Sequence, residues 1–107
     1  MRPATFFAVC ASALVLLSLE RSFAQQRGDP ARGRVMAERW CSACHLVSPS
    51  QTQANADVPT FASIARKLPA NADVLSAFIA NPHPPMPNLS LSRQDIQDLL
   101  AYVATLK

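Results

Sequence analysis

After an apolar run from Ala4 to Leu19, the chain settles into short segments whose apolar residues recur at helical spacing, and nothing alternates with the two-residue period of a strand. Asp29-Pro30 reads as a helix start, a carboxylate N-cap followed by proline at the first helical position. Val35, Met36 and Trp40 then give that helix an apolar side as it runs into Cys41. Gly33 interrupts it. A glycine inside a helix costs about 1 kcal/mol relative to alanine, so the position predicts a close crossing by another helix. Thr60 can cap a short helix in which Phe61, Ile64, Ala65 and Leu68 share one face and Pro69 closes. Asn71 is the expected cap of the next, with Asp73 in its first turn, Val74, Leu75, Phe78 and Ile79 on its apolar side and Pro82 at its end. Ser92, with Asp95 at capping-box spacing, opens a last helix striped by Ile96, Leu99, Leu100, Tyr102, Val103 and Leu106. The pattern predicts an all-α domain of about four short helices. Between them lie a polar loop over 46–59 and a stretch, Asn81-Pro82-His83-Pro84-Pro85-Met86-Pro87, whose prolines exclude regular structure.

The initial apolar run changes the picture of where the domain begins. Arg2, the apolar stretch and the small residues Ser22 and Ala24 follow the plan of a secretory signal, with cleavage expected before Gln25. The run is short for a membrane span and is broken by Cys10, Ser12 and Ser18, so no stable membrane insertion is expected after cleavage. Residues 1–24 are therefore assigned to a cleaved signal peptide and 25–107 to one small domain, exported to the bacterial periplasm. In that domain eight Arg and Lys oppose six Asp and Glu, a net of +2, too little to argue for nucleic acid. Arg27, Arg32, Arg34 and Arg39 gather near its start, as a solvated helix face or as a docking patch for an acidic partner.

Cys41-Ser42-Ala43-Cys44-His45 carries the chemistry. Two thiols three apart with a histidine directly after them form the attachment signature of c-type haem, in which both cysteines become thioethers and His45 is placed under the iron. A zinc half-site, a redox-active dithiol and chance remain as alternatives, each without its usual surroundings; zinc, for one, lacks a second pair of ligands. With Cys10 removed, no disulfide is available, and the haem itself becomes the staple that so small a domain needs. Trp40, next to Cys41, is expected to anchor the core beside it.

In this order, Gly33 ahead of Cys41-x-x-Cys44-His45, then Pro85-Met86-Pro87, then Leu99-Leu100-Ala101-Tyr102-Val103, the residues resemble a small class I cytochrome c over essentially the whole of 25–107. The resemblance implies that the first and last helices cross near Gly33 with Leu99 and Tyr102 against it. It further implies one covalent haem c, ligated on opposite faces by His45 and Met86, and electron shuttling as the function. A soft thioether favours ferrous iron, and filled axial positions leave no site for substrate, so the protein is expected not to be an enzyme. The other ring nitrogen of His45 should donate to a carbonyl, for which Pro59 is the candidate because a proline-bearing loop does this in the family. His83 is the rival distal ligand.

The leading reading is a periplasmic one-electron carrier between redox protein partners, as a monomer. The alternatives are a cytochrome subunit of a periplasmic dehydrogenase or oxidase complex and, as a different class, a haem sensor or peroxidase with a ligand that leaves.

Overall fold

A computed structural model of the chain describes residues 27–107 apart from 56, 69 and 83; the signal expected over 1–24 and the rival ligand His83 lie outside the described residues. The order is α1 (Pro30–Met36), a π-helical turn (Ala37–Cys41) continuing it, α2 (Phe61–Ala65), α3 (Ala72–Ala80) and α4 (Arg93–Ala104). No strand occurs among the described residues, and none of their helices is long and apolar enough to cross a membrane.

Local chemistry explains most of the boundaries. Asp29 is extended and its Oδ1 accepts from the N–H groups of Ala31 at 2.9 Å and Arg32 at 3.4 Å, with Pro30 as the first helical residue. Thr60 Oγ1 accepts from Ser63 N–H at 3.0 Å and opens α2. The capping box of α4 is complete: Asp95 N–H donates to Ser92 Oγ at 3.1 Å and Ser92 N–H to Asp95 Oδ2 at 3.0 Å. Asn71 departs from expectation. It precedes α3 but its side chain makes no cap bond; its Nδ2 donates backwards to Lys67 O at 3.3 Å.

The core is dominated by the crossing of α1 over α4. Gly33 lies there, as its place in the helix predicts: a Cβ on it would overlap the Asp98 carbonyl and sit 2.8 Å from Tyr102 Cβ. Tyr102 thus stands against Gly33 as expected, with the Asp98 carbonyl nearest, and Leu99 is buried in the core beside Tyr102 and Val103. Gly28 makes a second close approach, where a Cβ would overlap the Gln97 carbonyl.

Asp98 itself is wholly buried. Its Oδ1 accepts from Asp29 N–H at 2.7 Å and Gln94 Nε2 at 2.8 Å, while Oδ2 has only the Arg32 guanidinium, Nε at 3.3 Å and outside hydrogen-bonding geometry. A buried carboxylate is tolerated only when paired and hydrogen-bonded. Here it ties the entry of α1 to the middle of α4.

Trp40 is 43% exposed, with the Arg39 guanidinium 5.9 Å from its ring centroid. On α3, Val74 and Phe78 are exposed and no residue is fully buried, although Ala72 and Leu75 pack against the core cluster.

Candidate haem site

The π-helical turn delivers the attachment motif. Its last residue is Cys41, after which Cys44 N–H and His45 N–H both donate to the Cys41 carbonyl, at 3.1 and 2.9 Å. One carbonyl thus draws the three motif residues into a single tight turn. Both thiols are free, Cys41 half-buried and Cys44 exposed. Burial, with a smaller contribution from neighbouring Cys44, raises the Cys41 thiol above its usual range. Among the described residues no three His, Cys, Asp or Glu side chains converge on a point that could hold a metal ion, which speaks against the zinc alternative.

His45 is fixed from two directions. Its Nδ1 lies 2.7 Å from the Pro59 carbonyl oxygen. A carbonyl only accepts, so Nδ1 carries the proton and Nε2 keeps its lone pair for an iron. The buried Phe61 ring stands 5.5 Å away, tilted by 56°. Phe61 opens α2 immediately after the loop containing Pro59, and its N–H donates to Leu46 O at 2.9 Å, so the loop returns to the motif and closes behind the imidazole.

Met86 lies in the loop between α3 and α4. It is half-buried while Pro85 and Pro87 on either side are exposed. The structure therefore gathers Cys41, Cys44, His45 and Pro59 into one unit, and carries Met86 on a separate arm. Two surface cavities flank the 46–60 loop, and neither is bordered by the cysteines or Met86, so they are not the haem site.

These residues fit a covalent haem: paired thiols on one turn, an imidazole held with Nε2 free, and a half-buried thioether on a separate loop. Three features escaped the sequence. The π turn leaves no residue signature, Gln51 lies in a polar stretch that reads only as loop, and Asp98 reads as one more surface acid. The arginine cluster is also less free than its spacing suggests, since Arg32 lies against Asp95 and Asp98, and Arg34 Nε is 2.8 Å from Glu38.

Comparison with known proteins agrees. A cytochrome c-552 of Bradyrhizobium diazoefficiens is 40% identical over 94 residues, which cover 88% of this chain and 90% of the relative. No protein-family model matches the chain, and no solved structure matches it significantly.

Proposed function

The chain belongs to the small monohaem class I c-type cytochromes, which bind haem c covalently and carry electrons, and from that premise we propose how its own residues do so and where. Cys41 and Cys44 would hold the porphyrin as thioethers, and His45 Nε2 and Met86 Sδ would ligate its iron. When bound, the haem supplies one iron that passes between the ferric and ferrous states. The observation that carries the assignment is the 2.7 Å contact between His45 Nδ1 and the Pro59 carbonyl, because it fixes the tautomer and aims the free nitrogen.

The remaining residues set the working conditions. Hydrogen bonding of Nδ1 raises the basicity of Nε2, and the Met86 thioether favours the ferrous ion, so the two ligands pull the potential in opposite directions. Prolines around Met86 restrict the loop before the sulfur is placed, which lowers the entropy lost in placing it. With both positions occupied by protein there is no place for a substrate, and the protein works as a carrier and not as a catalyst. The signal read over 1–24 supports a periplasmic location, the compartment in which we place a monomeric carrier serving redox protein partners.

Haem staining after denaturing electrophoresis tests the covalent link; Cys41→Ala with Cys44→Ala should lose the stain. Met86→Ala should lose the sulfur-to-iron charge-transfer band of the oxidised protein, and a band that survived would assign the sixth ligand elsewhere.

A further inference from the structure

Gln51 is half-buried in the loop after the attachment turn, and its amide is engaged entirely by main chain. Oε1 accepts from Val47 N–H at 3.0 Å. Nε2 lies 2.8 Å from Ser42 O, 2.9 Å from His45 O and 2.8 Å from Gln53 O. An amide has two hydrogens for these three carbonyls, so one hydrogen is shared. The orientation follows from the surroundings, since exchanging oxygen and nitrogen would set a carbonyl against three others and one N–H against another.

Val47 extends the connection. It is buried, and its carbonyl accepts from Tyr102 OH at 2.7 Å. A continuous path of hydrogen bonds therefore runs from Tyr102 on α4, through Val47 and the Gln51 amide, to the carbonyls of Ser42 and His45. Ser42 and His45 belong to the haem-attachment motif.

We propose that Gln51 is the positioning residue of the axial histidine. The proposal rests on the reading that His45 binds the iron. Three bonds then hold that residue: its N–H on Cys41 O at 2.9 Å, its ring on Pro59 O at 2.7 Å, and its carbonyl on Gln51. The third acts on the rotation about N–Cα of His45, which carries its carbonyl and its Cβ together and so bears on the plane of the imidazole. Gln51 restrains that rotation and references the ring to α4. The plane of an axial imidazole orders the d orbitals of a ferric iron, so this contact should be visible in the electronic structure of the bound haem. It also explains why one glutamine in an otherwise irregular polar loop is engaged by backbone at both ends of its amide.

The test uses haem-loaded protein: wild type, Gln51→Leu, which removes every hydrogen bond at similar volume, and Ser92→Ala as a control. The control weakens the cap of α4 without touching the path. Gln51→Leu should shift the g-values of the ferric protein and the paramagnetically shifted His45 resonances, move the reduction potential, and speed Val47 amide exchange about five- to tenfold. Ser92→Ala should lose stability with all three haem readouts unmoved. Gln51→Asn keeps an amide one methylene short and gives smaller shifts of the same kind; it serves if the leucine variant does not accumulate. Wild-type g-values and potential in the Gln51 variants would overturn the proposal, as would equal shifts in Ser92→Ala, which would mark general loosening. A wild type without covalent haem or without His45 ligation would overturn the reading of the site itself, and the two failures are thereby distinguished.

Discussion

Where α1 crosses α4, main chain meets main chain: Gly28 and Gly33 leave no room for a Cβ beside the carbonyls of Gln97 and Asp98, and a fully buried carboxylate bridges the two segments. By contrast, α3 buries no residue completely among protein atoms, Val74 is 69% exposed, and the loop after it carries Met86 between exposed prolines. The crossing is specified by contacts that tolerate no substitution. The Met86 arm is stiffened by its prolines, joined to the core through Ala72 and Leu75 of α3, and held by the bond its sulfur is proposed to make. A carrier can use both, a rigid frame for the proximal ligand and a distal ligand whose strength can be set by a short loop.

The most disruptive way to probe the frame is Gly33→Ala. Helix propensity alone predicts a gain of about 1 kcal/mol, whereas overlap with the Asp98 carbonyl predicts a loss of about 3 kcal/mol. Denaturant midpoints decide the sign, and a stabilised variant would mean the helices part easily, dissolving the contrast. Tyr102→Phe should come next. It strands the buried Val47 carbonyl and should cost about 1.5 kcal/mol; a neutral result would show that water or a neighbour replaces the hydroxyl.

Met86→Ala then separates the two sides. In haem-loaded protein it should speed exchange of the α3 amides at least about tenfold, equivalent to about 1.4 kcal/mol of local stability, while amides at the crossing keep their protection. Uniform acceleration would show a single cooperative unit and no separate arm.

How much of this the chain discloses in advance depends on the range of each interaction. Asp29-Pro30, Thr60 and the Ser92–Asp95 box act within one turn and are legible as residue pairs. The attachment motif is legible because its chemistry demands a fixed spacing, and Gly33 because a glycine inside a helix calls for a close neighbour. Asp98 could not be read the same way, since its partner Asp29 N–H is 69 positions away and the residue type is usually solvated. Gln51 has the same difficulty at shorter range: its acceptors are backbone carbonyls, which every residue offers. For Trp40, Val74 and Phe78 helical spacing reports which residues share a face, and how far protein atoms cover that face is a separate matter.

The smallest expected effect concerns acid, and it locates one increment of stability on the frame. Hydrogen bonds from the Ser92 hydroxyl and N–H, with a weaker attraction from Arg32, hold the Asp95 carboxyl below its ordinary value near 4. A lowered folded pKa means the unfolded chain takes up the proton first. The contribution is therefore complete above the unfolded value and fades as pH falls through the folded one. Solvent around the pair limits it to at most about 0.5 kcal/mol. Asp95→Asn keeps an acceptor for Ser92 but not the charge, so it should lower the urea midpoint slightly at pH 6 and by less at pH 3, towards which the wild-type carboxyl takes up its proton. Equal differences at both pH values would assign the loss to geometry, and the charge on Asp95 would then contribute nothing to the entry of α4.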